Sequence, residues 1–137
     1  MTQKPAPSSH REARPRPARI TGLRHLWAAT TYSLAGVRRL WGETAFRHEV
    51  LALPLVMGLF AASGAALWHF IGAFVLWALL VAVEALNTAI EELVDHISPD
   101  WSVFARNAKD LGSLAVMCLL LANGAFIGAV LYTLHVV

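Results

Sequence analysis

Two long stretches of this chain carry no formal charge. Val50 to Val83 runs for 34 residues without Asp, Glu, Lys or Arg, and Leu111 to Val137 runs for 27. A soluble fold must keep charged groups on its outer faces, so runs of this length fit helices that are buried or in contact with lipid. The first run is too long for one comfortable span of about 20 residues. It is short for two, unless the second helix continues past Glu84. Composition agrees: 57% of the 137 residues are hydrophobic and 15% are charged, against about 25% charged in an ordinary soluble domain.

The natural break in the first run is Ser63-Gly64 to His69, with Trp68 as an interfacial aromatic. The pattern predicts spans at about 49–67 and 70–93, and a third at about 111–133. Pro54 then falls in the first turns of its helix, where proline is best tolerated. Residues 97–109 form a polar segment, in which Ser98-Pro99-Asp100 supplies a turn and a candidate helix cap.

Upstream, Leu23, Leu26, Trp27, Thr30, Leu34, Val37, Leu40 and Trp41 recur at spacings of three and four, which is one face of a helix. Arg24, Arg38 and Arg39 fall elsewhere on the wheel. A basic amphipathic helix with tryptophans over 20–41 suits a membrane surface better than an ordinary core. The expected fold class is therefore an all-α integral membrane protein, with three transmembrane helices and an N-terminal amphipathic surface helix. The membrane domain spans 20–137. Residues 1–19 hold four of the six prolines and five basic residues, and read as a disordered tail. They are not a signal peptide, because no apolar run follows the basic residues.

The net charge of +2 hides an asymmetry: nine of the eleven Lys and Arg lie in residues 1–49, and the other two are Arg106 and Lys109. This bias predicts a cytoplasmic N-terminus, an outward-facing Ser63–His69 turn, an inward second loop and an outward C-terminus. Nucleic-acid binding is excluded as the meaning of the basic segment, which sits beside apolar spans without a reading motif.

The second span ends in a polar pattern. Glu84, Asn87, Thr88, Glu91 and Asp95 stand at i, i+3, i+4, i+7 and i+11, on one helical face. Stacked carboxylates repel one another and call for a counter-charge, which a divalent cation can supply. Glu84, between Val83 and Ala85, and Glu91, which follows Ala89-Ile90, read as functional. Glu92 and Asp95 read as the solvated end of the helix. A weaker acidic pair, Glu43 and Glu49, precedes the first span. A third cluster, Asn107-Ala108-Lys109-Asp110-Leu111-Gly112-Ser113, opens the last one. Lys109 either snorkels to the interface or binds phosphate.

Several chemistries are excluded. The chain has no Walker-type phosphate loop and no HExxH, and its six histidines are scattered. The single Cys118 allows no intramolecular disulfide and reads as a packed small apolar residue.

Taken together, Glu43-Thr44-Ala45-Phe46-Arg47-His48-Glu49, Glu84-Ala85-Leu86-Asn87-Thr88-Ala89-Ile90-Glu91 with Asp95, and Ala108-Lys109-Asp110-Leu111-Gly112-Ser113 resemble the small integral-membrane diacylglycerol kinases of bacteria. Tyr32-Ser33, Gly36 and Arg38 also fit, and the resemblance covers about 23–137. It implies a homotrimer of three-span subunits in the inner membrane, with active sites between subunits at the cytoplasmic edge. It implies ATP as co-substrate and magnesium as cofactor. Glu84 is then the general base on the lipid hydroxyl, and Glu43 and Glu91 hold magnesium on the ATP phosphates. Asn87, Lys109 and Asp110 complete the nucleotide site, and Tyr32 contacts the nucleotide. Arg47, Glu49 and Ser113 lie towards the lipid. Asn107 departs from the pattern, standing where relatives often carry a basic residue. The stretch from Trp41 to Glu43 is one residue shorter, and either Arg24 or His25 fills a basic position before the tyrosine. The resemblance implies phosphorylation of diacylglycerol to phosphatidic acid. Undecaprenol, a polyprenyl alcohol, is the alternative substrate. A small proton or ion transporter fits less well, because the acids gather at one edge instead of near the midplane.

Overall fold

The computed structural model describes residues 23–136. The expected tail at 1–19 lies outside the described residues, as do the side chains of Arg24 and His25. Four helices follow in order: α1 Leu23–Leu40, α2 Thr44–Ala62, α3 Leu67–Ile97 and α4 Val103–Val136. The last three are long and apolar enough to cross a membrane. The chain is an all-helical multi-pass membrane protein, as its charge-free runs predict.

α3 is the hub, packing along α4 and α2 and touching α1. At one end the core is built around Phe60, which is fully buried with Ala73 and Val130. Phe70 meets the Phe60 ring edge-on, with centroids 5.9 Å apart. Midway, Asn123 Nδ2 donates to Leu119 O at 2.8 Å and to Leu76 O at 3.2 Å, which ties α4 to α3. A polar bond of this kind is favoured between helices that have no water to turn to.

The α2–α3 turn is tight. Gly64 takes a positive φ of 70°, which a side chain resists. His69 Nδ1 accepts the Ala66 N–H at 3.1 Å, closing the start of α3.

The helices outrun the apolar stretches at their polar ends. α2 begins at Thr44, so Pro54 lies in the helix interior instead of its first turns. The Val50 carbonyl there loses its usual donor, because proline has no N–H. α4 begins at Val103, so Lys109 and Asp110 are helical and only 98–102 connects α3 to α4. The cap is Ser102 and not the Ser98-Pro99-Asp100 turn: Ser102 Oγ accepts the Ala105 N–H at 3.1 Å. Ser98 Oγ supports that cap from 2.9 Å. Hydropathy marks where lipid lies, whereas a helix continues as long as its backbone bonds are made.

Much apolar surface stays uncovered in the single chain. Trp27, Leu34 and Val37 of α1 are exposed, as are Trp41 just after it and many residues of α4. Cys118 is also exposed, contrary to the packed position expected for it.

Candidate active site

The polar end of the bundle is assembled from four pieces. They are the end of α1, the first turns of α2, the second half of α3 and the first turns of α4. At about 1.5 Å per residue, Glu84 lies about 26 Å along α3 from Leu67, and Glu91 about 36 Å. A hydrocarbon core of about 30 Å that begins near Leu67 therefore ends between Glu84 and Glu91.

Glu84 and Thr88 are buried, at 7% and 5% exposure, while Asn87 and Glu91 are partly covered. Glu49, from the second turn of α2, is buried at 6%. Glu84 stands within electrostatic reach of Glu49, Glu91 and Glu43. The acids predicted from α2 and α3 are thus brought together. Asn87 Nδ2 donates to Glu91 Oε1 at 3.0 Å, fixing that carboxylate one turn above. The Asn87 Oδ1 is buried without a hydrogen-bond partner, and so is Glu49 Oε2. Buried polar atoms without partners are rare, and a ligand is one way to satisfy them.

The counter-charges come partly from the chain itself. Arg39 Nη1 donates to Glu43 Oε1 at 2.6 Å, and Arg39 Nε donates to Glu92. Lys109 Nζ meets Asp95 Oδ1 at 2.6 Å, joining α4 to α3. Arg106 and Asp110 pair along α4 at 3.5 Å. Glu92 and Asp95, expected to be only a solvated helix end, are exposed but ion-paired across helices. Arg39 was readable in sequence only as a cation off the apolar face; nothing local names its partners.

Other expected residues stand apart. Arg47 is exposed and donates to Thr44 Oγ1 at 3.1 Å. Tyr32, Asn107 and Ser113 are exposed on their helices.

A groove of about 470 Å³ runs from this end between α2, α3 and α4. Glu49 and His48 stand at its polar end, and Leu53, Val56, Trp77 and Leu120 line its length. Trp77 Nε1 donates to the Glu49 backbone carbonyl at 2.9 Å, packing the indole beside the acid. A long apolar groove ending at a buried carboxylate suits an amphiphile with a polar head.

Among the described residues no three His, Cys, Asp or Glu gather as a metal cage. Magnesium does not need one. It is commonly held by one or two carboxylates together with substrate phosphates and water. Glu91 and Glu43 each commit one oxygen to a neighbour and keep the other outside those bonds. This donor set fits such an ion.

The model of the family described as prokaryotic diacylglycerol kinase matches residues 31–131. The chain is 51% identical over 106 residues to a diacylglycerol kinase of Sinorhizobium sp., covering 77% of each. It is 35% identical over 115 residues to that of Haemophilus influenzae, covering 83% of this chain and 98% of the relative. A third relative, the diacylglycerol kinase of Pseudomonas aeruginosa, is 41% identical over 100 residues, covering 69% of this chain and 78% of its own. The aligned region holds the α2, α3 and α4 motifs from which the site is built, and the chain belongs to the prokaryotic diacylglycerol kinase family of membrane-embedded lipid kinases.

Proposed function

We propose that the chain transfers the γ-phosphoryl group of ATP to the free hydroxyl of diacylglycerol, giving phosphatidic acid and ADP. The observation that carries this reading is the gradient of burial along α3. Glu84 is buried within electrostatic reach of Glu49, the acid at the polar end of the apolar groove, while Glu91 is partly covered and Asp95 exposed. A lipid alcohol arrives from the apolar side and a nucleotide from the wet side, so the two substrates meet between Glu84 and Glu91.

In this mechanism Glu84 accepts the proton of the lipid hydroxyl as its oxygen attacks the γ-phosphorus. The bond from that phosphorus to the bridging oxygen breaks, and ADP leaves with the electron pair. Glu49, with a buried oxygen lacking a donor, orients the lipid head group. Arg47 and Ser113 serve the same side. Glu43 and Glu91 hold magnesium, which when bound neutralises phosphate charge. Asn87 orients Glu91. Lys109 exchanges Asp95 for a phosphate, Asp110 completes the nucleotide site, and Tyr32 contacts the nucleotide. Phosphoryl transfer depends mainly on positioning and charge neutralisation, so this modest set of groups is sufficient.

The reading includes a homotrimer in the bacterial inner membrane, with the N-terminus cytoplasmic and the C-terminus outside. Support comes from the apolar faces of α1 and α4 that one chain leaves uncovered, and from the concentration of Lys and Arg before residue 50. The test is transfer of radiolabel from ATP to a panel of lipid alcohols by purified protein. Label in phosphatidic acid is expected. Label in undecaprenyl phosphate alone assigns the polyprenyl substrate, and no transfer to any lipid alcohol contradicts the kinase.

A further inference from the structure

On a helical wheel Arg39 is an ordinary polar-face cation of α1. In the folded chain it stands where three helices meet. Its Nη1 donates to Glu43 Oε1 at 2.6 Å, and its Nε donates to Glu92, 53 positions along the chain. Glu43 is the N-cap residue of α2, and Glu92 belongs to α3. One guanidinium therefore joins α1, α2 and α3.

The side chains that cap a helix best are the short ones of Ser, Thr, Asp and Asn, which reach a backbone N–H of the same helix; glutamate is a methylene longer. Glu43 has the extended backbone of a cap, at φ −82° and ψ 132°, yet its side chain makes no cap bond. Arg39 holds Oε1 instead, so the carboxylate is kept away from α2. The planar guanidinium fixes orientation as well as charge.

We propose that Arg39 is a positioning residue, which docks α1 on α3 through Glu92 and with the same guanidinium aims Glu43 at the metal–nucleotide site. The proposal rests on the assignment of Glu43 to magnesium. Without Arg39 the carboxylate is free to swing into water, and metal binding must then restore its order. A cation near a metal ligand also repels the metal. That repulsion is weakened here, because the Arg39 and Glu43 side chains are 48% and 37% exposed and water screens them. The loss of aim is not screened, so removing Arg39 weakens metal binding.

The test uses the full chain in detergent with a non-hydrolysable ATP analogue, and free Mn²⁺ read by electron paramagnetic resonance as the probe. Arg39→Gln should weaken Mn²⁺ binding roughly two- to fivefold and raise half-saturating magnesium in the kinase reaction by a similar factor. Arg39→Lys, which keeps the charge without the fork, should recover part of the loss. The reversed pair Arg39→Glu with Glu92→Arg re-forms the tie between α1 and α3 but turns a carboxylate towards Glu43. A nitroxide at Leu34→Cys, in a Cys118→Ala background, should then regain its parental mobility while Mn²⁺ binding stays weak. Unchanged or tighter Mn²⁺ binding in Arg39→Gln overturns the proposal, as does full recovery of Mn²⁺ binding in the reversed pair. Glu43→Gln separates the two assignments. If it leaves Mn²⁺ binding unaltered, Glu43 is no metal ligand and both readings fall. If it weakens binding while Arg39→Gln does not, only the role of Arg39 falls.

Discussion

The side-chain oxygen of Asn87 lies against Gly112 so closely that a Cβ on residue 112 would overlap it. The glycine of the α4 motif thus makes room for the asparagine of the α3 motif. The amide can face only one way: its nitrogen donates to Glu91, and a reversed amide would oppose oxygen to that carboxylate. Glu91 is oriented by Asn87, and Asn87 is accommodated by Gly112.

Gly112→Ala should therefore act through Asn87. A methyl forced into this contact costs about 1–3 kcal/mol in overpacking, and the amide must leave its place. ATP-analogue binding is expected to fall about tenfold with helix content unchanged by circular dichroism. The double variant Gly112→Ala with Asn87→Ala should bind no worse than Asn87→Ala alone. Additive losses would mean that Gly112 serves something other than Asn87.

Glu43→Gln and Glu91→Gln should each raise the magnesium needed for half-maximal turnover, because each removes a charged oxygen donor from the proposed site. The loss should be partly recovered at high magnesium. A titration superimposable on the parent's for both variants would remove them from the metal site.

How much of this was legible beforehand differs by feature. The charge-free runs announced three spans because lipid excludes charge over a defined length, and the face shared by Glu84, Asn87, Thr88 and Glu91 follows from helical repeat alone. The ends of the helices were not legible. Thr44 to Glu49 and Val103 to Asp110 are polar enough to read as connections, yet they continue the backbone ladders of α2 and α4. The Ser102 cap had close competitors in Ser98 and Asp100, and composition does not choose among them. The pairs Arg39–Glu92 and Lys109–Asp95 depend on how α1 and α4 lie on α3. Nothing in one helix encodes a partner on another.

Topology is testable independently of catalysis. With three spans, reporter fusions after Thr133 and within Ser98–Phe104 should report opposite sides of the membrane. The same side for both would contradict the proposed N-in, C-out arrangement.

Assembly can be tested by mixing. If sites are shared between subunits, co-assembled Glu84→Gln and Asn87→Ala chains should recover part of the activity that each lacks alone. Co-assembly without recovery would mean that each subunit's site is self-contained.

Whether Glu84 takes the proton of the lipid hydroxyl is decided by single-turnover phosphoryl transfer in Glu84→Gln as a function of pH. Glutamine keeps the shape of the side chain but cannot accept a proton. Loss of a general base typically costs about 10²–10⁴-fold. Transfer should fall in that range with ATP-analogue binding near the parent's, and the profile should no longer decline towards acid, since the carboxylate whose protonation silences the parent is gone. Transfer at the parent rate, with the acidic decline intact, would mean that Glu84 is not the base and pass that role to Glu49, the other buried carboxylate of the site.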